Sequence, residues 1–102
     1  MIARTWRGWA TAADAVEYQR HYATTVATEL RGVAGFRGAR LLRHTDGDEV
    51  QFTSIAYFDD MDAVRAFAGP DAGRAVVAEA ARKVLSRWDE QVVHDEVAVY
   101  LT

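Results

Sequence analysis

Residues 36–58, FRGARLLRHTDGDEVQFTSIAYF, decide the fold. Two runs, 36–44 and 49–58, carry Leu, Val, Phe, Ile and Tyr and are joined through Thr45–Asp48. Asp46-Gly47 is a strong hairpin signal, because a type I′ turn needs positive φ at both central positions. The segment therefore reads as two antiparallel strands, and the rest of the chain has to cover them.

Upstream, Thr11–Asp14 (TAAD) offers a hydroxyl cap with an acid three residues on. Ala15, Tyr18, Tyr22, Val26 and Leu30 then form one apolar stripe, which predicts an amphipathic helix ended by Gly32 and Gly35. Before it, residues 2–8 read as a strand with Ile2, Arg4 and Trp6 on one face and Ala3, Thr5 and Arg7 on the other. Downstream, Asp59 or Asp60 caps a short helix whose Met61, Val64 and Phe67 share a face, and AGPDAG (68–73) breaks it. Residues 72–87 read as more helix. Residues 91–101 read as a closing strand, with Val93, Asp95, Val97 and Val99 on one face and Val92, His94, Glu96 and Tyr100 on the other.

The order strand, helix, strand, strand, helix, strand predicts an α+β fold, the ferredoxin-like βαββαβ arrangement. It has an antiparallel sheet and both helices on one face. The whole chain, residues 1–102, reads as a single domain. The other sheet face still needs cover, and a second copy is the simplest cover, giving a homodimer. In this topology the first strand is central, so Arg4 and Trp6 point into either a helix-side pocket or a dimer interface.

Composition narrows the function. A net charge of −3 excludes non-specific nucleic-acid binding, which needs a positive field. Zero Cys removes disulfides, thiol nucleophiles and Cys-ligated metals. No stretch approaches the roughly 20 apolar residues of a membrane span, so a cytoplasmic protein without a membrane partner is expected.

Individual motifs are weak. Gly35–Gly38 (GFRG) has the spacing of a nucleic-acid clamp but leads from helix to strand in an acidic chain, and reads as a turn. Residues 69–74 (GPDAGR) lack the Lys-Ser/Thr of a phosphate loop. Glu17 and His21 stand four apart on the helix flank away from the apolar stripe and read as a solvated pair, not as metal ligands. His44, beside the hairpin turn, is expected to be exposed. His94, mid-strand, is a candidate general base. Trp6, Tyr18, Tyr22 and Phe67 are candidate walls for a flat, electron-rich ligand, with Arg4 as the cation among them. A buried guanidinium needs an acid, a carbonyl or a ligand anion, and Glu96 is the acid expected nearest to it.

Residues 1–9 (MIARTWRGW), 35–43 (GFRGARLLR), 57–71 (YFDDMDAVRAFAGPD) and 92–97 (VVHDEV) together resemble the antibiotic biosynthesis monooxygenase-like family. The resemblance implies a dimeric α+β barrel, with a pocket in each subunit between sheet and helices. Some members are cofactor-free oxygenases of aromatic polyketides, in which the substrate's own anion reduces dioxygen. Others degrade haem with an Asn on the first strand, a Trp on the second helix and a His just beyond. Here Phe67 takes the helical Trp position, no His lies between residues 45 and 93, and the chain has no Asn. The haem-degrading set is therefore absent, and the oxygenases' helical Trp and Asn are not matched either. The expectation is a homodimer that oxygenates a small aromatic phenol or hydroquinone without cofactor or metal. In it Arg4 and His94 are catalytic and Trp6, Tyr18, Tyr22 and Phe67 bind substrate. The alternatives are a non-catalytic ligand-binding dimer and a cyclase or isomerase of an enolisable substrate.

Overall fold

The computed structural model describes residues 1–102. Its elements are β1 (Ile2–Thr11), α1 (Ala12–His21), a π-helical turn (Tyr22–Val26), α2 (Ala27–Arg31), β2 (Phe36–Asp46), β3 (Glu49–Phe58), α3 (Met61–Ala68), α4 (Glu79–Arg82), β4 (Arg87–Trp88) and β5 (Val93–Glu96). The sheet runs β2-β3-β1-β4, with β5 also on β1, and every pairing is antiparallel. β4 and β5 are two pieces of one closing strand, so the fold is the ferredoxin-like βαββαβ arrangement with β1 central.

Local chemistry sets the boundaries. Thr11 caps α1 by accepting from the Asp14 amide, and Asp60 caps α3 by accepting from the Ala63 amide. The β2–β3 turn differs from expectation. Asp46 pairs with Glu49, leaving Gly47-Asp48 as the loop, and only Gly47 has positive φ, at 60°. Glycine at the first central position is the type II′ pattern, not type I′.

The register of β1 against β3 sorts the faces. Ile2, Arg4, Trp6, Gly8 and Ala10 share the helix side with Phe58, Ala56, Ser54, Phe52 and Val50. Two core clusters form there. One gathers Ala10, Ala15, Tyr18, Val50, Phe52, Ala81 and Leu85; the other gathers Leu30, Ala56, Phe58, Ala63, Val64 and Ala72. On the opposite face Thr5, Trp9, Thr53, Ile55 and Tyr57 stay partly buried, and Leu42 and Val93 are 49% and 58% exposed.

Two helix and strand expectations need correction. The 72–87 helix shrinks to α4, because the backbone before it bonds sideways: the Ala75 amide donates to Glu90 O and the Val92 amide to Gly73 O. The closing strand stops at Glu96, opposite Ile2, and the Val97 amide makes its last bond, to Met1 O. Beyond that β1 has no residues left to pair.

Candidate functional site

The two clusters leave a gap between sheet and helices, and the gap is the site. The enclosed cavity is about 80 Å³, so a ligand of aromatic size would have to widen it or reach out through its mouth. Arg4, Trp6, Ser54 and Ala56 form its floor, and the helix from Tyr18 to Glu29 forms one wall. Phe67 and residues 76–78 close the remaining sides.

Arg4 is the group that chemistry must explain. It is 5% exposed, and none of the chain's four ion pairs includes it. Its Nη1 donates to Ala72 O at 2.6 Å and to His94 Nε2 at 3.0 Å, and Nη2 donates to Arg74 O at 3.1 Å. The expected acid, Glu96, is not a partner: it lies opposite Ile2, two pairs further along, and is exposed. Neutral carbonyls satisfy hydrogens but leave the charge uncompensated. Burial pulls the guanidinium's pKa down, yet guanidinium stays protonated in proteins. The floor of the cleft therefore carries an unpaired cation, with the Arg4 Cζ 5.9 Å from the centre of the Phe67 ring.

The aromatic walls stand together. Trp6 and Tyr18 have ring centres 6.3 Å apart, and Trp6 Nε1 donates to Asp89 O at 2.8 Å, which fixes the indole. The Tyr22 hydroxyl and Ser54 Oγ are hydrogen-bonded at 2.7 Å. Burial raises the pKa of both Tyr18 and Tyr22, the Ser54 bond partly offsetting it for Tyr22, so both enter chemistry as neutral phenols.

The π turn explains the helix wall. Tyr18, Tyr22, Val26 and Leu30 are spaced four apart, a run that drifts around a regular α-helix by about 40° per step. The wider π turn absorbs the drift, so Val26 and Leu30 still face the second core cluster. Thr24 and Thr28 help by donating their hydroxyls to the carbonyls four residues back. His21 joins the lining as well, with its Nε2 shut from solvent and lacking any partner. The expected Glu17–His21 pair is absent, because Glu17 takes Arg20 at 2.9 Å. An unpartnered buried nitrogen costs about 1–3 kcal/mol.

No family model and no curated protein matches the chain. Solved structures do. A variant of SnoaB, a cofactor-independent oxygenase from Streptomyces nogalater, superimposes with a TM-score of 0.71 at 21% identity, covering 98% of this chain and 95% of that one. The heme-degrader MhuD from Mycobacterium tuberculosis, with two hemes in its active site, gives 0.64 at 20% identity over 100% of both chains. A monooxygenase from ActVA-Orf6 of Streptomyces coelicolor, in complex with nanaomycin D, gives 0.66 at 18% over 99% and 92%. The chain has the antibiotic biosynthesis monooxygenase fold.

Within that fold, five of the six expected site residues line the cleft, Arg4 and Trp6 on its floor and Tyr18, Tyr22 and Phe67 on its walls. His94 does not reach the lining. It pairs with Arg4 across the sheet and stands behind it. Guanidinium only donates, so Nε2 must accept and the ring proton sits on Nδ1. Burial, then the Arg4 charge, lowers the His94 pKa, with Asp95 opposing. Its lone pair is occupied, which removes the geometry for a base acting on substrate. Ser54 and His21 were missed. Ser54 is the polar interruption in the inward series Val50, Phe52, Ser54, Ala56, Phe58, and His21 sits inside the run of fours that only a π turn keeps in line. No group of three or more His, Cys, Asp or Glu is arranged to hold a metal ion, and no helix is long and apolar enough to cross a membrane.

Proposed function

We propose that the protein is a cytoplasmic homodimer that oxygenates a phenol or hydroquinone of aromatic polyketide type without a cofactor. The observation that carries this is the Arg4 guanidinium, buried without a counter-charge among Trp6, Tyr18, Tyr22 and Phe67. A phenolate or enolate is the ligand that compensates it, and stabilising that anion in an apolar cleft is the main demand of a reaction in which substrate itself reduces dioxygen. For an anthrone, one oxygen atom enters the ring CH₂ as a carbonyl and the other leaves as water with the two hydrogens. SnoaB and the ActVA-Orf6 protein support the reading by fold. The residues present do not suit haem degradation: Phe67 replaces the helical Trp, and the one imidazole on the cleft belongs to α1.

Dimerisation is supported by surface. The chain exposes 6349 Å², whereas a folded monomer of its mass exposes roughly 5,700 Å². A partner on the sheet face around Ile55, Trp9, Leu42 and Val93 would cover part of it.

A second reading has its own support. Ala72 O and Arg74 O already hold Arg4, which suits a ligand-binding dimer that keeps the cleft without the chemistry. Oxygen uptake with an anthrone, with no metal or flavin added, separates the two. Uptake above the uncatalysed rate is expected. Binding without uptake selects the ligand-binding dimer, and product formed without oxygen selects an isomerase or cyclase.

A further inference from the structure

We propose that the hydroxyls of Tyr18, Tyr22 and Ser54 form a donor station in the cleft that takes a ring carbonyl oxygen of the ligand. This rests on the reading of the cleft as a site for small aromatic molecules. It adds a group that those molecules carry, an aryl ketone. No covalent bond is made or broken; the station selects and orients.

The hydroxyl hydrogens of these residues outnumber their acceptors within the chain. Tyr22 and Ser54 share one bond, at 2.7 Å, and neither hydroxyl makes another. The Tyr18 hydroxyl has no partner either, yet it is not sealed off: among the side chains that are not exposed, His21 Nε2 is the one unpartnered polar atom shut from solvent. Three O–H groups therefore form one mutual bond. Whichever way that bond points, two O–H donors are left, and a carbonyl oxygen has two lone pairs to accept them. The other donors of the floor are engaged. Trp6 Nε1 donates to Asp89 O, and the Arg4 nitrogens donate to Ala72 O, Arg74 O and His94 Nε2. Thr25, the remaining hydroxyl of the lining, is exposed.

Placement puts the three hydroxyls within a ligand's reach. All three residues line the cleft. Ser54 is partly exposed on the helix side of β3, a strand paired on both edges, so the surface it retains is its hydroxymethyl group. Its inward neighbours Phe52 and Ala56 are 0% and 5% exposed, which makes the opening local to the serine. Tyr22, also partly exposed, meets it from the helix wall. Tyr18 stands one turn earlier on that wall, its ring fixed against Phe52 at 4.9 Å. Burial first, and Tyr22 second, raise the Tyr18 pKa and keep it a neutral donor. Ser54 lies opposite Trp6, two residues or about 7 Å along from the Arg4–Ala56 pair. The ketone oxygen is thus held at a different point of the floor from the anion. A few fixed polar groups in an apolar cleft are what orient a small ligand.

The test uses acetophenone and its isostere α-methylstyrene, in which CH₂ replaces the oxygen. Isotope-edited infrared spectra isolate the C=O stretch, which falls in frequency as the oxygen accepts hydrogen bonds. Wild type should bind acetophenone with the stretch below its value in alkane. Ser54→Ala and Tyr18→Phe should each weaken acetophenone about fivefold and α-methylstyrene less than about twofold. Each should also return the stretch part of the way to its alkane value. Ser54→Thr, which keeps the hydroxyl, should keep the stretch low. A stretch that Ser54→Ala or Tyr18→Phe leaves in place overturns the assignment. So do equal losses for the two ligands, since hydroxyls that only fill space or hold each other would not tell oxygen from CH₂. If wild type binds both probes with an alkane-like stretch, the donor station alone falls, whether or not the variants fold. If wild type binds neither probe, the reading of the cleft as an aromatic site falls with it.

Discussion

Arg4→Met keeps the aliphatic stem and deletes the charge. Three bonds vanish: those to Ala72 O, Arg74 O and His94 Nε2. Bonds from a charged donor contribute about 1.5–3 kcal/mol each, so the gross loss is roughly 5–9 kcal/mol. Against that stands the cost of burying a guanidinium without a counter-charge, several kcal/mol in real proteins. The net expectation is a loss of about 2 kcal/mol, or roughly 8–16 °C in Tm for a domain of this size. Calorimetry at fixed protein concentration measures it, since the proposed dimerisation would make the midpoint concentration-dependent. Hydrogen exchange locates it. The Ala75 and Val92 amides bond to Glu90 O and Gly73 O, in the segment that Arg4 straps to the sheet, and should lose protection first. A loss above about 4 kcal/mol would refute the premise that the charge is uncompensated.

The same variant carries a pH signature. In the fold His94 titrates below its ordinary value, through burial first and the Arg4 charge second. The unfolded chain therefore binds the proton more readily, and stability falls as pH drops below the unfolded imidazole value of about 6.5 toward the folded value. Above about pH 7 this contribution is complete. Arg4→Met removes the second cause and frees Nε2, so the acid-side decline should flatten relative to wild type. Parallel declines would mean that His94 does not accept from Arg4.

If the proposed dimer forms through the half-exposed face opposite the cleft, wild type should sediment as a dimer and Ile55→Asp as a folded monomer; a dimeric variant would displace the sheet-face interface. At Gly8 an added Cβ meets Trp6 Cη2 at 2.6 Å, so Gly8→Ala should cost about 1–3 kcal/mol. It should also shift the tryptophan fluorescence and weaken aromatic ligands, whereas an unshifted spectrum would mean that the indole is not wedged there. Titrated haem with oxygen and reductant should keep its Soret band, and bleaching would contradict the reading of Phe67.

What the sequence made legible was side-chain pattern. The 36–58 hairpin was legible from its turn and its apolar runs, and the βαββαβ order made β1 central, which took Arg4 off the sheet edge. What it could not show was backbone. Arg4 is held by carbonyls of Ala72 and Arg74, and carbonyls belong to every residue. Glu96 looked like the partner because charge is visible in letters. Likewise residues 72–78 have helix-forming composition, and only tertiary bonds to Glu90 and Val92 pull them out of helix.

That displaced segment also explains why a cleft exists. β4 and β5 pair with β1 in registers two residues apart: Gly8 faces Trp88, but Thr5 faces Val93. The Asp89 amide still donates to Arg7 O, and Glu90–Val92 then bulge away opposite Trp6. The bulge turns its own donors and acceptors outward, to Gly73 and Ala75, and Asp89 O takes the Trp6 indole. A continuous strand would have paired there and allowed the 72–87 stretch to pack as helix directly on β1. The slip instead holds residues 76–78 as a side of the cleft, above the floor made by Arg4 and Trp6. A two-residue deletion within 89–92 should let the closing strand pair continuously with β1. It should then abolish ligand binding while the sheet keeps its order, and retained binding would break the link between the bulge and the site.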